Sequence, residues 1–329
     1  MPGPERQASL LNSPFVKFLK DWSLPISMMV GVAAYFIFAA LPLEAQSRKC
    51  VADAVAVIQP MLLFFILYLS FCKVDPRELR IKRWHLRLIL LQVALAGTFA
   101  LAIIVFRPPL PVEILLASAF LCFICPTAAA AVVVTNKLGG DVPSTVTYTI
   151  TINFVTALVA SIFIPLINPD GGISFANAFG AMIWKVFSIL VVPMLLAVAT
   201  RFAAPKFLAK LLSVKDLPFY IWIVSLALAL SVTTRSIVHS RTPWYWIAAM
   251  GLVTFVCCFF QFWAGHRTGV RFGDRTTAGQ VLGQKNTVFI IWMASTFMNP
   301  LMSVVGGLYS IAHNLVNSRQ LYKHSHNQD

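Results

Sequence analysis

Apolar runs of about 20 residues, each long enough to cross a bilayer as a helix, recur along the whole of this chain. They can be drawn at 24–43, 52–72, 86–106, 112–135, 142–167, 175–200, 217–234, 244–264, 275–297 and 301–316. Lipid offers the backbone no hydrogen-bonding partner, so a spanning chain must be helical or a closed barrel, and these runs are too long for barrel strands. The expected fold is an all-α polytopic membrane protein of about ten transmembrane helices. Hydrophobic residues at 58%, charged residues at 12% and a mean hydropathy of +0.78 exclude a soluble domain.

The formal net charge of +14 would suggest a nucleic-acid partner in a soluble protein, but here the basic residues stand between the apolar runs. One set of connections holds Arg6, Lys17, Lys20, Lys73, Arg77, Arg80, Lys82, Arg83, Lys137, Arg201, Lys206, Lys210, Lys215, Arg267, Arg271, Arg275, Arg319 and Lys323. The other holds only Arg48, Lys49, Arg107, Arg235 and Arg241. The positive-inside rule puts the first set and both termini in the cytoplasm, which needs an even number of spans. A bacterial inner membrane is the expected location, the lipid bilayer the expected surroundings, and neither nucleic acid nor an obligate protein partner is indicated. No cleavable signal is evident, because the first apolar run is already long enough to span. The six cysteines lie mostly inside apolar runs and read as small hydrophobes rather than a disulfide framework, and the Cys122, Cys125 pair has no second pair with which to hold a metal.

Ten spans divide into two sets of five with opposite orientation, a first repeat over about 24–167 and a second over about 175–317. In each set the fourth span is interrupted: by Cys125-Pro126-Thr127 in the first, where proline removes a backbone donor, and by Gly283-Gln284-Lys285-Asn286 in the second. Interrupted spans at corresponding positions of two inverted halves point to a transporter's binding site. Lys285 is the sharpest signal, since an ammonium near the bilayer centre costs several kcal/mol unless it faces protein or water.

Other polar groups in the spans are candidates to line that site. Thr145 and Thr149 share one helix face ahead of Asn153, although a threonine in a membrane helix often bonds its own preceding carbonyl. Gln92, Gln280, Gln284 and Asn314 are intramembrane amides that serve either a ligand or a neighbouring helix. His313 stands beside Asn314, Gln59 precedes a kinking Pro60, and Lys185 is expected to snorkel or face a cavity. All twelve acids fall in loops, tails or helix ends. The one clear buried charge is positive, which favours an anionic ligand or a resident internal cation.

These residues carry a resemblance. Cys125-Pro126 followed by small residues, Gly140-Asp141-Val142, Arg275-Thr276 leading to Gly283-Gln284, and the ending Leu308-Tyr309-Ser310-Ile311-Ala312-His313-Asn314 together make the chain similar to the bile acid:sodium symporter family over nearly its full length. The resemblance implies two inverted five-helix repeats, with a panel of helices 1, 2, 6 and 7 (about 24–43, 52–72, 175–200 and 217–234). It also implies a core of helices 3–5 and 8–10 (about 86–167 and 244–317) in which the broken helices 4 and 9 cross. The implied substrate is an organic anion carried with two sodium ions. The family's Ser-Asn pair after the first break falls on Ala131 and Val132, and its two helix-5 hydroxyls on Thr145 and Thr149. Its helix-9 glutamate falls on Gln280, the following glutamine on Gln284, the asparagine after that on Lys285, and the helix-3 glutamine on Gln92. A one-residue shift would match Asn286 to that asparagine instead.

The sodium sites are therefore expected to be degraded, with Thr145, Thr149, Gln280 and Gln284 left to hold any ion. An ammonium at about 4 Å would oppose a sodium ion by roughly 4 kcal/mol at an effective dielectric of about 20. The expectation is that Lys285 stands in for sodium at the crossing, with Thr127, Asn286, Gln92 and Asn314 nearby, and that coupling is to protons or absent. No cofactor is expected. A conventional sodium symporter and an arsenite-type exporter, which also has a cysteine near the break, are the alternatives. An enzyme is disfavoured because the spans hold no carboxylate pair, Ser-His couple or histidine-rich set, and a channel because no filter-like segment is visible.

Overall fold

Helices begin and end where the sequence supplies caps, prolines and polar breaks. In the computed structural model, residues 22–169, 172–214, 216–240 and 243–326 are described. Arg6, Lys17, Lys20, Lys215 and Arg241, which entered the charge argument, lie outside them, as do both chain termini. The helices are α1 (Ser23–Ala40), α2 (Ala45–Cys72), α3 (Arg83–Phe106), α4 (Leu110–Ile124), α5 (Ala130–Lys137), α6 (Val142–Ile167) and α7 (Phe175–Val186). After a π-helical turn at Phe187–Val191 come α8 (Val192–Ala203), α9 (Pro205–Leu212), α10 (Leu217–Val238) and α11 (Trp244–Val270). The chain closes with α12 (Arg275–Gly283), α13 (Thr287–Phe297) and α14 (Ser303–His326).

Among the described residues seven helices are long and apolar enough to span a membrane, α7 to α8 counting as one, and the chain is a polytopic membrane protein. The count differs from the expected ten for a physical reason. The fourth run is split into α4 and α5, the ninth into α12 and α13, and the tenth, α14, carries Ser310, His313, Asn314, Asn317 and Gln320 and loses its apolar character. Several boundaries also move outward. α2 starts at Ala45 rather than near residue 52 and takes in Asp53, an exposed acid expected at a helix end. Hydropathy reports where lipid stops, whereas a helix continues as long as its backbone bonds are made. The connection after the sixth run, expected as a loop, holds α9, whose Pro205 sits where a helix start needs no donor.

α10 packs on α1 and α2, and α8 packs on α2; a second group is formed by α3 with α4, α11 with α4, α12 and α14, and α13 with α14. One of the close contacts depends on a pair of glycines. Gly265 and Gly269 on α11 meet the α12 backbone so closely that a methyl group at Gly269 would lie 2.6 Å from the Asp274 carbonyl oxygen, and one at Gly265 would clash with that of Ala278. Two small residues four apart let helices approach to backbone contact. This packing fixes the short α12, and with it the second break.

Candidate functional site

The two breaks lie against each other. Residues 125–129 separate α4 from α5 and residues 284–286 separate α12 from α13, and the extended segments pair antiparallel at Thr127 and Lys285. The Ala128 amide donates to the Gln284 carbonyl at 2.9 Å and the Asn286 amide to the Pro126 carbonyl at 2.9 Å.

A helix that stops inside a membrane leaves carbonyls without partners, and each must be satisfied within the protein. At the end of α4, Cys122 O accepts from Gln261 Nε2, Ile124 O from the Thr156 hydroxyl and Cys125 O from Gln92 Nε2. At the end of α12, Val281 O accepts from the Thr127 hydroxyl and Gly283 O from the Tyr309 hydroxyl. Gln261, Thr156 and Tyr309 were not among the sequence-level candidates. The signal available was Gln261, a lone amide within an apolar run. The start of α13 is capped by Asn286, whose side chain accepts from the Phe289 amide at 3.1 Å.

Lys285 is wholly buried, and its ammonium donates to Gln92 Oε1 at 2.8 Å, the same oxygen that the Tyr148 hydroxyl approaches at 3.4 Å. Gln92 thus ties the ammonium to the carbonyl end of α4, where the helix dipole is negative. Among the described residues no carboxylate forms an ion pair with Lys285.

Beside this junction is a cavity of about 50 Å³ whose polar lining includes Gln284, Lys285, Asn286, Ser310, His313 and Asn314. Both ends of the Gln284 amide, His313 Nδ1 and Asn314 Oδ1 are buried there without a protein partner. Burying an amide without a hydrogen bond costs about 1–3 kcal/mol. The three residues that carry these atoms all line this cavity.

Of the other candidates, Thr149 lines a separate crevice with Thr127 and Asn286, and Gln280 lies towards α14. The hydroxyls of Thr145 and Thr149 donate at 2.8 Å to the carbonyls one turn back, Asp141 and Thr145. Gln280 donates to Asn317 Oδ1 at 3.2 Å and Gln320 Oε1 at 2.6 Å on α14, with its own oxygen left unpartnered. The four residues expected to hold sodium are therefore bonded to three different places, or in the case of Gln284 to none. Ala131 and Val132, at the start of α5, are buried and bring no polar atom.

At the starts of α3, α6 and α12, outside the apolar spans, Lys82 bonds Asp141 Oδ2 at 2.7 Å and Asp274 Oδ2 at 2.8 Å. Burial opposes both charged forms, but the hydrogen bonds outweigh it, holding the Lys82 ammonium above its usual value and the Asp141 carboxyl below its own. The Trp84 ring nitrogen also donates to Asp274, at 2.9 Å. The ends of α3, α6 and α12 are fixed together, which sets how the segments carrying the breaks stand.

The family model described as sodium bile acid symporter family matches residues 60–240, more than half of the chain and inclusive of the first break. A comparison with curated proteins finds no match. With this match, the chain belongs to the sodium bile acid symporter family, whose members are transporters and not enzymes.

Proposed function

We propose that this chain is a secondary transporter of a small organic anion, in which Lys285 takes the place that sodium ions occupy in its relatives. One observation carries the reading: a wholly buried ammonium at the meeting point of two broken helices, next to a cavity lined by Gln284, His313 and Asn314, each of which has a buried side-chain atom without a protein partner. An ammonium with only neutral oxygens for company attracts an anion, and the positive starts of α5 and α13 add to that field.

In this reading the chain is two inverted five-helix repeats. α1, α2, α7 to α8 and α10 form a panel, and α3 to α6 with α11 to α14 form a core in which the broken helices cross; the packing of α10 on α1 and α2 supports the grouping. Both termini face the cytoplasm, and a bacterial inner membrane is the setting. At about 50 Å³ the cavity takes a carboxylate group and not a steroid body. A larger substrate needs the core to move away from the Trp222 and Leu226 side of α10, which closes the cavity opposite the breaks. That movement, repeated towards each side of the membrane, is alternating access.

The test is uptake of radiolabelled small carboxylates and bile salts into proteoliposomes. Saturable uptake of at least one is expected, with a half-saturation concentration raised about tenfold by Gln284→Leu. No saturable uptake of any, or none that responds to Gln284→Leu, overturns the proposal.

A further inference from the structure

One corner of the molecule gathers guanidinium groups from two helices. α3 begins with Arg83 and Arg87, one turn apart, and α11 ends with Arg267 and its cap Arg271, again one turn apart; all four are exposed. The two helix ends are neighbours. The Arg87 guanidinium stands 4.9 Å from the centre of the Phe272 ring, and the Trp84 ring nitrogen donates to Asp274 at 2.9 Å. The nearby carboxylates of Asp141 and Asp274 are taken by Lys82, and among the described residues no carboxylate forms an ion pair with any of the four arginines.

A bias of basic residues towards one side of a membrane sets how many stand there, not that two helices bring theirs together. Nor does the helix field ask for them. Arg83 lies in the first turn of α3, where the dipole favours an acid and no acid stands. Next to the arginines the same two helix faces turn apolar: Leu86 and Leu90 follow on α3, and Phe259 and Trp263 precede on α11, all exposed on helices that read as spans. Spacings of three, four and seven residues keep each set on one face with its arginines. Paired charge at the end of a lipid-facing strip is the outline of a phospholipid, with its headgroup at the arginines and its acyl chains along the strip. A guanidinium takes two oxygens of one phosphate at once, and a pair of arginines on each helix matches one phosphate on each.

We propose that Arg83, Arg87, Arg267 and Arg271 form a binding site for an anionic phospholipid with two phosphates, one held at each helix end. The lipid bridges α3 and α11 as a part of the fold and is not carried across the membrane. Basic side chains close to a bilayer surface attract any anionic headgroup; this site distinguishes two phosphates from one.

The test is the thermal midpoint of the full chain, delipidated in uncharged detergent and titrated with cardiolipin, which carries two phosphates, with phosphatidylglycerol, with phosphatidylcholine or with inorganic phosphate. A ligand of the folded state raises the midpoint, so a saturable rise is expected with cardiolipin, at a half-saturation about tenfold below that of phosphatidylglycerol. Arg87→Gln with Arg267→Gln raises the cardiolipin value about tenfold, and the lipid-free midpoint of this variant checks that its fold is kept. Arg77→Gln with Arg80→Gln, which removes the same charge from exposed positions before α3, leaves the cardiolipin value unchanged. No saturable rise, equal half-saturation for the one-phosphate and two-phosphate lipids, an equal rise with inorganic phosphate, or an equal loss in the two double variants overturns the site. The midpoint reads binding without transport, so failure to transport any anion would leave this result standing.

Discussion

At the first break, residues 125–129, the polar side chains are spent on the other break's backbone: the Thr127 hydroxyl donates to Val281 O and the Cys125 thiol to Asn286 O, and the turns that follow are Ala and Val, with Ala131 and Val132 buried. At the second, residues 284–286, every position brings a polar side chain, one seeking partners in a cavity, one charged and one capping the next helix. The two segments share a β-type pairing and similar backbone bonds, yet only the second brings a charged side chain and an amide without a protein partner. The lesson is that the crossing is a scaffold built by both breaks, whereas the proposed function rests on the side chains of one.

The largest effect that would sharpen this contrast comes from Lys285→Met, which keeps the volume and removes the charge. Uptake is expected to fall by about tenfold or more, with the thermal midpoint unchanged or raised, since a buried ammonium with neutral partners is expensive to keep. A stability loss with retained uptake would make the lysine structural.

Next is Gln284→Leu. A merely structural amide would have protein partners, and this one has none, so the substitution should raise stability by about 1 kcal/mol while weakening substrate affinity about tenfold. Thermal unfolding with and without substrate separates the two effects.

The converse change on the other side is Val132→Asn, which puts an amide where the first break has only hydrocarbon. A cost of about 1–3 kcal/mol is expected from thermal unfolding in detergent, because an amide replaces a buried hydrocarbon side chain. An unchanged midpoint would show that the first break also has room for recognition.

The smallest effect belongs to the cluster that sets the breaks' spacing. Lys82→Gln is expected to cost about 1 kcal/mol or less, screened by solvent. Its pH dependence has a definite sign. The Asp141 carboxyl is held low, so its share is present above about pH 4 and disappears as acid protonates it; the Lys82 ammonium is held high, so its share is present below about pH 10 and disappears in stronger base. Between those limits the difference between wild type and Lys82→Gln should be flat, as unfolding midpoints across pH would show.

Much of this was legible in the residues. The outer ends of the split runs, both breaks, and the burial of Lys285 at the junction follow from apolar length, one proline and one misplaced charge. The fate of the threonines was not, because a hydroxyl within reach of its own helix's carbonyl and one aimed at an ion have the same sequence spacing. Nor was the use of Gln261, Thr156 and Tyr309 to satisfy orphaned carbonyls, since those bonds join residues from 26 to 139 positions apart. The π turn has a cause in the sequence: in a regular α-helix a proline at 193 would clash with the carbonyl four residues back, that of Ile189, and the turn lies there.

Uptake into proteoliposomes, measured with sodium or with potassium on the outside at equal ionic strength, tests the central claim most directly. If Lys285 replaces the metal ion, the two rates agree within error and both fall by about tenfold or more in Lys285→Met. A sodium gradient that accelerates uptake several-fold in the wild type would contradict the account.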